Sequence, residues 1–176
     1  MIQSLRRTPG AVPMAGLLFA LLLVPGAASS HGDEKHATKP RIDYSRAEET
    51  PFGRAADPEK AKRVVVHMSD EMRFTPSEIV VRRGDIVRFE VSNAGKVMHE
   101  MVLGTKKELA EHSELMKKFP DMEHDEPHML HVAPGKSGRM GWQFTKAGEF
   151  YFACLIPGHY EAGMVGRIVV TEGDRP

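Results

Sequence analysis

Cysteine, net charge and repetition are all scarce in this sequence, and each absence excludes a class of protein. Cys154 is the only cysteine among 176 residues, so no disulfide can form within the chain. The 24 basic residues equal the 24 acidic ones, and no basic patch or stripe is present, which argues against nucleic-acid binding. No internal repeat is evident, so a solenoid is not expected. What remains is one globular domain with accessory segments.

Residues 1–30 have the pattern of a secretory signal peptide. Arg6 and Arg7 precede an apolar run at 15–24, and small residues follow at 26–30. The run is too short for a membrane span, although an uncleaved anchor is the alternative. We expect export to the periplasm and no membrane contact after cleavage. The twin arginines leave the export route open. Removal of this segment lowers the basic count from 24 to 22 against 24 acidic residues, a net charge near −2.

Residues 31–60 are polar, with proline, glycine and charge but little apolar periodicity, and we expect a disordered arm there. If cleavage follows Ser30, His31 becomes the N-terminus, and its amine and imidazole could bind copper with His36 nearby. The competing interpretation is a solvated tail with incidental histidines. Both interpretations stay open, because a histidine-containing tract is only compositional evidence.

From residue 61 to residue 176 the sequence predicts an all-β domain. Apolar and polar residues alternate with period two, as in 86–91, which is typical of a half-buried strand in an antiparallel sheet. Seven short strands with turn signals between them indicate a β-sandwich. We expect these strands at about 63–68, 78–81, 86–91, 100–103, 138–143, 149–154 and 165–170.

The segment 105–119 breaks this rhythm and predicts a helical insertion. Thr105 is a candidate N-cap, and Pro120 ends the segment. Apolar side chains recur inside it at spacings of three and four residues. His112 and Met116 are four residues apart and could share a metal, but at this spacing on an apolar face packing is the expected role.

The strongest chemical signal is the loop that follows the predicted strand 149–154. It carries Cys154, His159 and Met164 in a C-x4-H-x4-M pattern. A thiolate, an imidazole and a thioether are soft ligands suited to copper. Period two places Cys154 on the core side of its strand, with Phe150 and Phe152. A lone buried cysteine is usually only a small apolar residue. Here the loop also contains Pro157, Gly158 and Gly163, so it can fold back and bring three soft ligands together.

A trigonal blue-copper site requires a second imidazole, and His99 follows the turn 93–95. The segments 72–81 and 84–89, His99 and the C-x4-H-x4-M loop together resemble a cupredoxin. This family comprises Greek-key β-sandwich or barrel copper proteins such as plastocyanin, azurin, rusticyanin and auracyanin. The resemblance covers about residues 61–173. The loop spacing is closer to that of rusticyanin and auracyanin. The arm, the insertion and the Met/His-rich stretch resemble bacterial periplasmic copper-tolerance cupredoxins.

The resemblance implies one type 1 copper held by His99, Cys154 and His159 in a plane, with Met164 as the axial ligand. Two neighbouring residues depart from the plastocyanin and azurin pattern. Glu100 stands where those proteins have an asparagine that ties the ligand loops together. Leu155 stands where a hydroxyl residue is common. Because groups around a metal site tune its potential, colour and potential do not transfer.

A second Met/His-rich segment lies at 122–131. Its candidate accessory copper ligands are thioethers and imidazoles, which favour copper. His124 and His128 could meet, with a methionine beside them. The alternative is a solvated acidic loop that joins the helix to the next strand. The candidates are Met122, His124, His128, Met129 and His131.

Two functions fit these features. In the first, the protein handles copper in the periplasm, and accessory sites bind weakly held surplus copper. In the second, it is an electron shuttle, with a redox partner docking near His159 on an apolar patch that includes Leu155 and Pro157. No His-x-His pair is present and no histidine flanks Cys154, so the trinuclear cluster of multicopper oxidases is not expected. We expect no enzyme, although oxidation of Cu(I) at the single centre overlaps with the first function.

Overall fold

The alternating segments form strands in the computed structural model, which describes residues 43–120, 122 and 124–173. This part of the chain contains ten strands, one α-helix and two 3₁₀ turns. The strands are β1 Arg54–Ala55, β2 Lys62–Ser69, β3 Arg73–Thr75, β4 Glu78–Arg82, β5 Ile86–Asn93, β6 His99–Gly104, β7 Met129–Val132, β8 Ser137–Gln143, β9 Gly148–Ala153 and β10 Val165–Thr171. The helix α1 is Lys106–Lys118, and the turns are Tyr44–Arg46 and Pro58–Lys60.

The strands form two five-stranded sheets. One has the order β1-β8-β5-β2-β3 and the other β4-β10-β9-β6-β7. The sheets are mixed: β5 pairs antiparallel with β8 but parallel with β2, and β10 pairs parallel with β4. The expectation of an antiparallel sheet is therefore wrong in part, because long connections bring parallel neighbours together. The predicted β-sandwich with one helical insertion is confirmed.

The core lies between the sheets and follows the period of two. Every second residue of β5 is buried, as Val87, Phe89 and Val91 are. These side chains share one apolar cluster with Trp142 of β8 and Phe152 of β9. The burial of these large side chains gives the sandwich a rigid base, since close-packed interiors resist deformation. The strand ends that carry the candidate ligands project from this base.

The insertion forms as the sequence predicts. The Thr105 hydroxyl accepts a hydrogen bond from the Glu108 backbone N–H at 3.2 Å, and the Glu108 carboxylate accepts one from the Thr105 N–H at 3.0 Å. This capping box satisfies two backbone donors at the start of α1. Leu109 then buries against Val102 of β6. The helix thus covers the outer face of the second sheet, on the side where β6 and β9 pair.

The predicted disordered arm is wrong over residues 43–60. Phe52 is buried in the core, stacks on Trp142 with ring centroids 5.1 Å apart, and accepts a hydrogen bond from its indole at 3.1 Å. Strand β1 then pairs with β8. Phe52, the buried Ala55 and the β1–β8 pairing hold this polar segment, and its low apolar content concealed them. Residues 1–42, which include the signal-peptide assignment, His31 and His36, lie outside the described residues.

The sequence also missed two strands. Strand β3 is only three residues long and pairs with β2. Strand β7 pairs with β6, and its first three residues belong to the Met/His-rich segment 122–131, for which a solvated loop is one of the two interpretations. Within the described ranges, no helix is long and apolar enough to cross a membrane.

Candidate metal centre

Cys154 follows directly after β9 and starts the ligand loop, residues 154–164. Its side chain is fully buried in the core with Phe150 and Phe152, as the alternation predicted. The loop returns to the same place, because the Cys154 N–H donates to the Met164 carbonyl at 3.1 Å. The two ends of the loop are therefore pinned together at the end of the second sheet.

Backbone hydrogen bonds fix the interior of the ligand loop as well. The Met164 N–H donates to the His159 carbonyl at 3.0 Å, and the His159 N–H donates to the Ile156 carbonyl at 2.9 Å. Gly158 and Gly163 have φ of 90° and 88°, a region that glycine enters without steric cost. The short spacing between Cys154 and Met164 thus closes into a rigid loop, and His159 is held at its centre.

His99 begins strand β6 and approaches the loop from the other side. Its ring is fully buried, and its Nε2 lies 3.1 Å from the Asp70 carboxylate. That carboxylate also accepts hydrogen bonds from the Lys96 and Val97 N–H groups at 2.7 and 3.4 Å. If Nε2 carries the proton, Nδ1 holds a lone pair, and Nδ1 is buried without a hydrogen-bond partner. A carboxylate that orients an imidazole in this way is the common outer partner of a metal-ligating histidine.

The three predicted equatorial ligands meet. One ligand atom from each of His99, Cys154 and His159 lies within 4.8 Å of the others. The Cys154 Sγ is 3.2 Å from the His159 Nδ1, and the two imidazole centroids are 5.0 Å apart. Cys154 and His99 are buried, whereas His159 is half-buried at the loop surface. The cluster is therefore buried except at His159, which is partly exposed to solvent.

Burial opposes charge at this cluster. It raises the pKa of the Cys154 thiol to about 12, since a thiolate loses its hydration there. Burial also lowers the pKa of His159, and the neighbouring His99 lowers it further. At neutral pH the apo cluster therefore holds a neutral thiol at Cys154 beside a neutral His159 imidazole. A bound cation is what would favour the thiolate, because a coordinating thiol is deprotonated.

Met164 precedes β10, and its side chain is fully buried in the same core cluster as Cys154. Its backbone forms hydrogen bonds with the backbones of both Cys154 and His159, so its Cα lies next to these two residues. The axial role that the resemblance implies for Met164 stays a prediction.

Glu100 takes over the tying role that an asparagine has in plastocyanin and azurin. It is buried, and its carboxylate accepts a hydrogen bond from the Leu155 N–H at 2.8 Å. Its other oxygen lies 2.9 Å from the His131 Nε2, directly across from it on β7. The β6 ligand segment and the ligand loop are thus joined despite the change of residue.

Leu155 contributes its backbone here, while its side chain is buried against Val102 and Leu109. The expectation that Leu155 belongs to an exposed apolar patch is therefore wrong, because α1 and its sheet cover it. Pro157 is exposed, as expected, and Ile156 is half-buried. Val97 and Met98, just before His99, are exposed apolar side chains near the same edge.

The accessory candidates do not come together as one group. Met129 is buried against Leu109 and Leu155, so packing occupies its side chain. His131 contacts Glu100. His128 packs edge-on against Phe52 with centroids 5.6 Å apart. Met122 is exposed.

His124 meets His112 rather than His128. Their Nε2 atoms are 2.8 Å apart. The assignment of His112 to packing missed this contact, since the loop after a helix has no period from which its path can be predicted. Sequence reasoning also missed Asp70, which lies 29 residues before His99. Only its position in the turn between two strands could have drawn attention to it.

The residues fit a soft metal ion. The partnerless Nδ1 of His99, the buried Cys154 sulfur and the His159 imidazole form a two-nitrogen, one-sulfur donor set. That set, with a nearby methionine, is the one that copper electron-transfer sites use. Copper bound there would supply one-electron chemistry between Cu(I) and Cu(II). The chain itself supplies a rigid donor geometry and excludes water from the thiolate.

A β-sandwich with this buried donor set defines a protein of the cupredoxin class, and the comparisons place the chain within that class. The family profile described as copper binding proteins of the plastocyanin/azurin family matches residues 61–171. The chain belongs to this family of copper-binding proteins.

Among sequence relatives, a protein of Rubrivivax gelatinosus named copper-resistant cuproprotein CopI is 51% identical over 154 residues, covering 87% of this chain and 90% of the relative. A protein of the same name from Pseudomonas aeruginosa is 37% identical over 148 residues, with coverages of 68% and 82%. A third, from Vibrio cholerae, is 40% identical over 118 residues, with coverages of 66% and 70%.

Among solved structures, auracyanin B has a TM-score of 0.57 at 24% identity and covers 71% of this chain and 98% of its own. Reduced auracyanin from Roseiflexus castenholzii has a TM-score of 0.55 at 19% identity, with coverages of 63% and 98%. At these identities the likeness supports the fold alone. The predicted family and fold are confirmed.

Proposed function

We propose that the protein is exported to the periplasm, holds one type 1 copper at His99, Cys154, His159 and Met164, and serves in copper tolerance. The observation that carries the proposal is the buried cluster, in which the His99 Nδ1 lacks a partner while Cys154 and His159 lie beside it. Without a cation that nitrogen is buried and unpaired, which is costly. Bound copper gives it a partner.

The relatives support the tolerance role. Three relatives from different bacteria carry the description copper-resistant, and the Rubrivivax protein covers nearly the full length of this chain. The export assignment rests on the pattern at 1–30. On this proposal the protein acts by holding copper, and oxidation of Cu(I) is not required.

A second candidate is electron transfer, and the exposed edge of the centre favours it. His159 is half-buried in the ligand loop, and the exposed apolar residues Val97 and Met98 precede His99. A redox partner could dock there and approach the copper through the His159 imidazole. The buried Leu155 makes this surface smaller than the sequence suggested.

The first test is a copper titration followed by visible absorption, on wild type, Cys154→Ser and His67→Ala. His67 lies on β2 and contacts Ser92, so His67→Ala is a histidine control away from the centre. We expect an intense band that saturates at one equivalent in wild type and the control and is absent from Cys154→Ser. A band that persists in Cys154→Ser would refute the thiolate assignment.

Function is tested in cells whose own copy of the gene is deleted and replaced by each of these three variants. If the function is copper tolerance, only the cells that carry Cys154→Ser should be sensitive to added copper. Their respiration in low copper should equal that of cells with the wild-type protein. Electron transfer predicts the reverse, a respiratory defect without added copper. Fractionation of the wild-type cells tests export, and protein retained in the cytoplasm would contradict it.

A further inference from the structure

A second histidine pair lies outside the centre, on α1 and in the segment after it. The Nε2 atoms of His112 and His124 are 2.8 Å apart, and their ring centroids are 4.8 Å apart with planes tilted by 35°. Both side chains are half-buried. Two imidazoles whose nitrogens approach this closely share something between them, which is either a proton or a metal ion.

The second nitrogen of His124 shows which of its atoms is available. The His124 Nδ1 lies 3.0 Å from the Met122 carbonyl oxygen. A carbonyl can only accept, so Nδ1 carries the hydrogen, and the Nε2 of the neutral ring presents its lone pair to His112. A backbone carbonyl on the far nitrogen is a usual outer partner of a metal-bound histidine, because it fixes the tautomer and the ring orientation.

The spacing suits adjacent ligands on one metal ion. Imidazole nitrogen binds such ions at about 2.0 Å, so two ligands at a right angle stand about 2.8 Å apart. Square-planar nitrogen and oxygen sites are typical of Cu(II), which also binds such ligands more tightly than Zn(II) does. The observed separation equals this expected one. Because both rings are half-buried, water can complete the coordination.

The charges around the pair also suit a cation. Glu126 and Glu100 both act electrostatically on His112, in the direction that favours positive charge. Burial acts more strongly and, with His124, lowers the pKa of His112, so the ring is held neutral and its lone pair stays available. A cation bound by neutral rings and faced by carboxylates keeps local charge balanced.

His128 lies close to the pair but is held elsewhere. With His112 it lines a cavity of about 350 Å³, which Phe52, Glu108 and Leu109 also line. Its ring packs edge-on against Phe52 and Trp142. Within the described residues, the three-ligand group whose atoms all lie within 4.8 Å of one another is the Cys154 centre. His128 therefore forms a wall of the neighbouring cavity.

We propose that His112 and His124 bind a second metal ion, Cu(II), through their Nε2 atoms, with water as the remaining ligands. This site replaces the His124–His128 pairing that the sequence suggested. It shares no ligand with the Cys154 centre and does not depend on it. It would give the protein a copper(II) site that exchanges with solvent, beside a buried one that does not.

The test is equilibrium dialysis of the full exported chain against Cu(II), in a background with His31→Ala and His36→Ala to remove the imidazoles of the arm. His112→Ala, His124→Ala and the double variant are compared with His67→Ala and His128→Gln. Each single variant is expected to lose one bound equivalent or to weaken it at least tenfold. The double variant should lose no more than a single one, because two ligands of one site act as a unit.

The Cys154-dependent visible band reports correct folding in every variant and should not change. Retention of the second equivalent by both single variants, or its loss from His128→Gln alone, would overturn the proposal. Loss from His124→Ala but not from His112→Ala would also overturn it, since the pair would then not be the ligand set. If the wild-type protein showed no thiolate band, the proposed function would be refuted. The dialysis would still test whether His112 and His124 bind Cu(II).

Discussion

The two histidine clusters differ in how the fold holds them. In the Cys154 centre, His99 is fully buried, an acidic side chain orients its ring, and the ligand loop is closed by backbone hydrogen bonds. The His112–His124 pair is half-buried, and one of its members lies in a segment without regular structure. The first cluster is preorganised at the end of a packed sheet, whereas the second depends on one helix and its following loop.

This difference means that one small domain could bind the same metal at two sites with different rates of exchange. A rigid, water-excluding donor set limits rearrangement and exchange, while a solvent-facing imidazole pair permits both. The clusters are not electrostatically isolated, because Glu100 acts on both His159 and His112. Glu100 is also the residue that ties β6 to the ligand loop. Variants at and around Glu100 therefore separate the two clusters most directly.

The largest effect is expected for Glu100→Ala. The variant removes the acceptor of the buried Leu155 N–H, and an unsatisfied buried donor costs about 1–3 kcal/mol. Urea unfolding of the apo protein should show a loss of this size. The copper band of the Cys154 centre should shift or broaden, because the ligand loop loses its tie to β6.

Glu100→Gln is the matched control, since its amide oxygen can still accept from Leu155. It should recover most of the lost stability. The second Cu(II) equivalent should remain in both variants and weaken slightly and equally, because both lose the Glu100 charge that acts on His112. An apo Glu100→Ala protein as stable as wild type would contradict the bridging role.

The next largest effect is expected for Asp70→Ala. Asp70 contacts the His99 Nε2 and accepts hydrogen bonds from the backbone N–H groups of Lys96 and Val97, just before His99. Loss of such an outer partner typically lowers metal affinity about 10- to 100-fold. Competition with a copper chelator should show this loss at the Cys154 centre, while the second equivalent is retained.

Asp85→Ala is the control for this measurement. Asp85 likewise accepts a backbone hydrogen bond, from Arg82 at 3.0 Å, but in a turn away from both clusters. It should leave copper affinity unchanged. Equal losses in the two variants would mean that the effect of Asp70 is general and unrelated to His99.

These outer partners mark the limit of what the sequence could predict. The candidate ligands Cys154, His159 and Met164 lie on one short loop, so their spacing and soft donor atoms indicated the metal, while the alternating strands indicated the fold. His99 was predicted because a trigonal blue-copper site requires a second imidazole. Asp70 and His112 could not be predicted, because each acts on a residue from a different element, and that contact is created by tertiary packing.

The fold followed the same rule. Strands with clear alternation, such as β5, and the capped helix α1 were predicted within one or two residues. The two-residue strand β1 and the three-residue β3 were missed, because so few residues cannot show a period. The order of segment 43–60 depends on Phe52, whose partner Trp142 is 90 residues away. Contacts of that kind are invisible to a local pattern.

A smaller effect is expected for the ion pair that connects helix α1 to the ligand loop. Lys117 of α1 lies 2.7 Å from the Glu161 carboxylate, and Glu161 also accepts from the Gly158 N–H at 3.0 Å in the ligand loop. Lys117→Met removes this ion pair between the helix and the loop, while the Ser113 hydroxyl of α1 still donates to Glu161 at 3.3 Å. Because the pair is partly exposed, we expect only a slight fall in the midpoint of thermal unfolding.

Hydrogen exchange is the sharper measurement for Lys117→Met. Amides of the ligand loop around Gly158 should exchange faster, while those of β5 should not change. Lys107→Met is the control, since Lys107 lies on the same helix and pairs with Glu111 instead. Equal exchange in the two variants would show that α1 and the ligand loop are not coupled through this pair.

The smallest effect is expected at Glu90 on β5, which should change stability with pH and leave both clusters intact. The Arg63 side chain, 2.6 Å away, lowers the pKa of Glu90 below its ordinary value of 4.5. A carboxyl whose pKa is lower in the folded state stabilises that state above about pH 4.5. Its contribution is lost as the pH falls from there through the folded pKa. The thermal midpoint of Glu90→Gln should therefore lie slightly below that of wild type at pH 6, and the two should converge towards pH 3.

Both copper equivalents should remain at pH 7, since Glu90 touches neither cluster. Parallel curves at every pH would show that the charge of Glu90 contributes nothing, and loss of either copper equivalent would show that the clusters depend on the sheet's surface charges.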